Sequence, residues 1–426
     1  MDAPLDLPSL QLHTELRESI VRALATRRPI LHHLNADTSW LLQIPRPASA
    51  IKHGSRIYYN ILIDPWFVGG QSDVARWFSQ QWHAEPSAVK SIAEVEELAK
   101  TVERFAGSGL RKRNGNSSRR GTPVTPMKAG TPMKGEWEAE EDVETLIDCV
   151  AISHEFTDHC HKETLLEVHP DVPVIATEKA AALISTYSHF RTVLTTPTFS
   201  MESCDWRSHS LFPLPTWLSI ARFTAPKDGL YYHSALLIAF STHPYISTPH
   251  STPQKRRSGA SLYPNGHVPD LFSSSTSGSE AAEYVLYTPH GIPFEALKPI
   301  LYASPPLSCL AFLHGLHDVR IGSAQRLNLG AENGVRSQRI LRARYWIGTH
   351  DEVKSGGGLI GWFLKRKVWK LEDAVKVVRD ELDRRKIKSG EGGEVDAGMD
   401  WEWENNEEWD DVKFEEVGNG ESRILE

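Results

Sequence analysis

The chain has 426 residues, of which 40% are hydrophobic and 24% charged, and a formal net charge of −8. That is an ordinary soluble globular composition, long enough for one large α/β domain or two smaller ones. It holds no apolar run near the ~20 residues that cross a bilayer, and because Met-Asp-Ala-Pro-Leu-Asp-Leu-Pro lacks a basic n-region and an apolar h-region, no signal peptide is expected. Four scattered cysteines (Cys149, Cys160, Cys204, Cys309) form no CxxC and no disulfide framework, so a reducing, cytoplasmic location is expected and no nucleic-acid partner is called for.

The charge is uneven. Residues 391–426 hold 14 acidic and 2 basic side chains, a net of −12, which leaves about +4 on the rest of the chain. The acidic stretch, residues 389–426, reads as a solvated or partner-binding tail, although Trp401, Trp403 and Trp409 are unusual for a purely solvated segment.

Taken in order, residues 10–28 space their leucines and Ile20 as a helix, an extension (residues 1–29) outside the main core. Residues 39–45 and 58–66 then read as two neighbouring strands, the second ending in Asp64-Pro65. Two adjacent strands before any strand–helix alternation argue for a mixed or antiparallel sheet rather than a doubly wound one. Helical spacing follows at 72–82 and 89–105. From about 107 to 141, Ser, Gly, Arg, Lys and Thr-Pro dominate, with almost nothing apolar to offset the entropy of ordering. This predicts a disordered insertion whose Thr122, Thr125 and Thr131 could accept phosphate. A second insertion of this kind is expected at 242–281.

Between the insertions lies Val150-Ala-Ile-Ser-His-Glu-Phe-Thr-Asp-His-Cys-His161, a short apolar strand that runs straight into His154, Asp158, His159 and His161 before a helix begins. Imidazole and carboxylate at a strand end suit Zn, Fe or Mn; the alternative is a polar loop whose histidines cap the next helix. Further strands are expected at 172–177, 216–223, 230–240, 283–288, 308–313 and 345–349, with helices at 178–187, from 294, at 335–344 and at 371–388. Three of these strands end in histidine, at His290, His314 and His350, and His233 lies near the start of another. Ligands gathered from several strand ends along one sheet edge are a usual way to build a preorganised site. The segment Gly356-Gly-Gly-Leu-Ile-Gly-Trp-Phe-Leu-Lys-Arg-Lys is read as the connection into the last helix, with Leu359, Trp362 and Phe363 packed on the core. Its alternative is a lid or a contact with an anionic membrane surface.

The window His154-Glu155-Phe156-Thr157-Asp158-His159 resembles the His-x-His-x-Asp-His motif of the metallo-β-lactamase superfamily, and in particular its lactonase and N-acylphosphatidylethanolamine phospholipase D-like branch. The strand ending in Asp64 and the segment Trp346-Ile-Gly-Thr-His-Asp, which carries His350, resemble that family's early and late site segments. The likeness covers residues 30–370 outside the insertions. It implies an α/β fold, a four-layer αββα sandwich of two mixed sheets with helices outside. It also implies a metal-dependent hydrolase acting on a small-molecule ester, lactone or phosphodiester. Phe156 stands where the family has its second histidine, and His290 where it has a bridging aspartate. One ion, Zn with Mn or Fe as alternatives, is therefore expected rather than two. The implied ligands are drawn from His154, Asp158, His159, His233, His290 and His350, with Asp158 and His154 as the catalytic pair. The same two departures leave an alternative, a degenerate member that binds a ligand or partner without catalysis.

Overall fold

A computed structural model describes residue 21 and residues 28–51, 56–73, 75–115, 145–225, 232–241, 282–322, 325–390 and 413–426. Its first half contains β1 (Ile30–His33), β2 (Trp40–Pro45), β3 (Tyr58–Ile63), β4 (Gln80–Trp82), α1 (Ile92–Gly115), β5 (Cys149–Ile152), α2 (Lys162–Leu165), β6 (Val174–Ala176), α3 (Glu178–Ser185) and β7 (Val193–Thr195). The second half runs through β8 (Leu218–Thr224), β9 (Ser234–Ser241), β10 (Ala282–Tyr287), β11 (Leu307–Leu313), β12 (Asp318–Ile321), β13 (Gln325–Leu329), α4 (Gly330–Leu341) and β14 (Tyr345–Ile347). It closes with β15 (Ser355–Gly357), β16 (Leu364–Lys367), α5 (Leu371–Gly390), β17 (Phe414–Glu415) and β18 (Ser422–Ile424).

Two mixed sheets carry the architecture. One has the order β18-β1-β2-β3-β5-β6-β7, the other β17-β14-β11-β10-β9-β8. Because side chains alternate along a strand, each apolar run serves two layers. Ile61, Ile63 and Ala151 of the first sheet meet Leu236, Ile238, Val285 and Ile347 of the second in one buried cluster. Their neighbours Leu62, Val150 and Ile152 point the other way, onto Ile92 and Val95 of α1 and Ile184 of α3. On the far side, Leu237, Leu286 and Phe312 pack on Val335 of α4 and on Ala374 and Val378 of α5. The layers are therefore helix, sheet, sheet, helix: an αββα sandwich, and burial on both faces explains why the strands read as continuous apolar runs.

Several expectations are revised. Among residues 72–82, the described ones form turns and β4 rather than a helix. The apolar side chains that suggested a helical face are solvated, Trp77 being 69% and Trp82 46% exposed, and β4 instead pairs antiparallel with β15. Residues 107–115, expected in the first insertion, continue α1. The rest of that insertion with its Thr-Pro sites, the second insertion, the stretch 391–412 and nearly all of the N-terminal helix lie outside the described residues. The segment after β15 does not pack on the core. Leu359, Trp362 and Phe363 are 53%, 90% and 60% exposed; they lie between β15 and β16, and Lys365, Arg366 and Lys367 of β16 are exposed as well. No helix among the described residues is long and apolar enough to cross a membrane.

The end of the acidic tail is built into the sandwich. β18 pairs antiparallel with β1, Ile30 opposite Ile424, and β17 pairs parallel with β14. Val417 and Leu425 are buried in the cluster between the sheets. Across this seam His32 of β1 donates from Nε2 to Gln43 Oε1 at 2.7 Å and accepts at Nδ1 from the Ser422 hydroxyl at 2.6 Å.

Replacing Leu425 by alanine is expected to cost about 3 kcal/mol, the usual scale for emptying a fully buried leucine site, read as a lowered urea midpoint. Acid should weaken the same seam. Burial pushes the His32 pKa down from 6.5 to about 4, so it is neutral in the fold, while the unfolded chain takes up a proton below pH 6.5. The stability tied to this group is thus complete above pH 6.5 and is lost as pH falls through 4, on the order of 3 kcal/mol. Urea midpoints at pH 7.5 and 4.5 should fall further for the wild type than for His32→Gln.

Candidate metal centre

Both sheets turn the same edge toward one point. In the first sheet β3 ends at Asp64, β5 ends at Ser153-His154, and the β1–β2 turn brings in Asp37. In the second, β10 ends ahead of His290, β11 ahead of His314 and β14 ahead of His350. Two of these positions have left-handed backbones unusual for residues other than glycine, Asp64 at φ +43° and His350 at φ +61°. Such conformations cost of the order of 1 kcal/mol, persist where the surroundings hold them, and concentrate at functional sites. Gly291, at φ +81°, follows His290 in a space where a Cβ would come within 2.9 Å of the His314 ring, so only glycine lets the chain turn there.

The Asp64 carboxylate ties the two sheets together. Its Oδ1 accepts from Ser153 N at 2.8 Å, and its Oδ2 accepts from the Ser153 hydroxyl, from His159 Nδ1 at 2.8 Å and from the Tyr287 hydroxyl of β10 at 2.8 Å. The β1–β2 turn is fixed in the same way: Asn35 Oδ1 accepts from Asp37 N and Ser39 N, and the Thr38 hydroxyl donates to Asp158 O at 2.8 Å.

Three histidines meet at the centre, and each has its Nδ1–H spent on an acceptor. His159 donates to Asp64 Oδ2, His290 to Asn328 Oδ1 at 2.9 Å, and His350 to Asp37 Oδ1 at 3.0 Å. Those bonds set the tautomer, so each neutral ring presents a lone pair at Nε2. Ligand atoms of the three lie within 4.8 Å of one another, and the Nε2 atoms of His159 and His290 are 3.1 Å apart. Two lone pairs at that separation repel unless positive charge stands between them, either one proton or a metal ion. The residues present therefore fit a divalent cation, with imidazoles backed by carboxylate or amide acceptors.

The charges agree. Burial lowers the His290 pKa, reinforced by His350 and His159, and burial likewise lowers that of His154. Burial opposes protonation of His159 as well, but Asp158 and Asp64 outweigh it and the net shift is upward. Asp158 has its Oδ1 3.6 Å from His159 Nε2; burial favours its neutral form, but the Lys354 ammonium and the histidines hold its pKa well below the usual carboxylate range. Lys354 Nζ is 2.6 Å from Asp158 Oδ2 and 2.8 Å from Asp37 Oδ2.

Of the residues expected in the centre, His154, Asp158, His159, His290 and His350 come together. The His154 ring lies 4.7 Å from that of His290 and 5.3 Å from that of His159, and its buried Nε2 has no hydrogen-bond partner among the described residues. Phe156 stacks beside it at 5.8 Å. His233 belongs to neither of the ligand groups found among the described residues; it stands near His314, whose own nitrogens meet the carbonyls of Thr288 and Gly330. His161 caps α2. Sequence reasoning missed Asp37 and Lys354. The doubled histidine and asparagine around residues 32–35 masked β1 as a strand, and Lys354 carried no signal beyond lying four residues after His350.

No family model and no curated protein matches the chain. Among solved structures it is similar to "a possible metal-dependent hydrolase" from Veillonella parvula DSM 2008, at 10% identity and TM-score 0.41, covering 93% of this chain and 100% of that one. An isothiocyanate hydrolase from Delia radicum gut bacteria matches at 11% identity and TM-score 0.41, covering 93% of this chain and 99% of the other. The diiron β-hydroxylase CmlA of Streptomyces venezuelae matches at 11% and 0.37 over 85% of this chain and 52% of its own. These likenesses are loose.

If Asp64 orients His159 as the hydrogen bonding indicates, Asp64→Asn should weaken Zn2+ binding about 10–100-fold. Titration calorimetry reads the affinity, with circular dichroism to verify the fold; unchanged affinity in a folded variant would refute that role.

Proposed function

We propose that the protein is a metal-dependent hydrolase of a small ester, lactone or phosphodiester. The observation that carries this reading is the set of Nε2 lone pairs of His159, His290 and His350, turned toward each other in a buried space by acceptors at every Nδ1. His159, His290 and His350 would hold the ion, with Asp158 adjacent. A divalent cation there supplies Lewis acidity, polarising a carbonyl or phosphoryl oxygen and bringing the pKa of a water from 15.7 to ~7.

The chain's own groups supply the rest. Asp64, Asn328 and Asp37 keep the imidazoles in one tautomer and orientation, so no reorganisation is needed when charge develops. His154, which burial keeps uncharged, has an unpartnered Nε2 placed to hydrogen-bond a substrate or water in the centre. Asp158 stays a carboxylate because Lys354 lies against it. Phe156 and Tyr232, half-buried with ring centres 5.0 Å apart, offer an apolar wall for the acyl or alkyl part of a substrate.

A second reading, a ligand-binding domain without catalysis, is favoured by Phe156 at the motif's second histidine and by His233, which belongs to neither ligand group among the described residues. The two are separated by metal analysis followed by assays on p-nitrophenyl acetate, dihydrocoumarin and bis-p-nitrophenyl phosphate. The hydrolase reading expects a bound divalent ion and at least one activity that falls to background in His159→Ala. Protein that takes up no Zn, Mn or Fe overturns it, and metal without any activity leaves the binding domain.

A further inference from the structure

Asp37, Asp158 and His350 form a second group, with ligand atoms within 4.8 Å of one another, and share His350 with the first. With His350 committed to the histidine centre through Nε2 and to Asp37 through Nδ1, this position offers a cation its two carboxylates, but a side chain already lies there. Lys354 reaches in from the loop after β14 and sets its ammonium 2.6 Å from Asp158 Oδ2 and 2.8 Å from Asp37 Oδ2, with its side chain 7% exposed. The face of Trp66 lies 5.2 Å from Nζ, a further contact suited to a cation.

We propose that the Lys354 ammonium occupies the place of a second metal ion, so that the centre takes one divalent cation at its three histidines and excludes another. The inference rests on the histidine centre proposed above. Charge supports it. Three carboxylates touch the histidines or the lysine (Asp37, Asp64 and Asp158), and one ammonium leaves two negative charges, which a single divalent ion neutralises. A second ion would have to share the same two aspartate oxygens with a cation a hydrogen-bond length away, a like-charge contact that low-dielectric surroundings make costly. Two buried carboxylates left without any cation would also be costly, so removing the lysine vacates a position that demands positive charge.

The test is the stoichiometry of Zn2+ on the purified full chain, measured by mass spectrometry of the metal after dialysis, for wild type, Lys354→Gln and Lys354→Arg. One equivalent on wild type and on the arginine variant, with two on Lys354→Gln, supports the proposal. Two equivalents on wild type, or one on a folded Lys354→Gln, overturns it. No zinc on wild type but one equivalent on Lys354→Gln keeps the lysine's role and removes the histidine centre; none on either removes both. A Lys354→Gln protein that folds only when Zn2+ is present counts in favour, since the ion then replaces the lost charge. One that stays unfolded with Zn2+ counts against it.

Discussion

The centre depends on one carboxylate. Asp64 is fully buried, and its four hydrogen bonds come from β5, from the loop that carries His159 and from Tyr287 on the opposite sheet. A buried carboxylate cannot be left short of donors without a cost of several kcal/mol, so the groups that satisfy it are held in fixed relation. The position of His159 is therefore set by the same bonds that keep the sheets in register at that edge. The left-handed backbone at Asp64 follows: the strand must turn sharply for its terminal carboxylate to reach back across β5.

His350 repeats the arrangement from the second sheet. Its backbone N–H donates to Asp37 O at 2.9 Å, its Nδ1 donates to the same residue's carboxylate, and Thr349 and Trp40 bond to each other across the interface. The two sheets are thus joined at this edge by hydrogen bonds and elsewhere by aliphatic packing. Packing tolerates small shifts, whereas a network with fully committed donors does not. The rigid end of the sandwich is the end that holds the histidines.

Much of this was legible in the sequence, for physical reasons. Strands buried on both faces show as unbroken apolar runs, so β3, β5, β9, β10 and β11 were visible, and the residues that follow them could be expected to share an edge. That brought His154, Asp158, His159, His290 and His350 into view before any geometry. What remained hidden depends on pairings between distant parts of the chain. β1 is half histidine and looks polar, yet both His32 nitrogens meet Gln43 and Ser422 and His33 Nδ1 meets the Val417 carbonyl, so its burial is decided by β2 and by residues 417–425. Asp37 and Lys354 are 317 positions apart and become a pair only once both sheets are in place. The exposed Leu359, Trp362 and Phe363 were misread because apolar content alone does not say which element, if any, lies over a segment.

Pairing of Ile30 with Ile424 has a consequence for the order in which the molecule can be made. Ile30 emerges from the ribosome 394 residues before Ile424 (424 − 30), and β17, which completes the other sheet, belongs to the same late segment. During synthesis both sheets therefore wait with an open edge, and His32 waits without its serine. Contacts of such sequence separation close slowly. The nascent chain must keep two unpaired strand edges from other partners until residues 413–426 arrive to cover them.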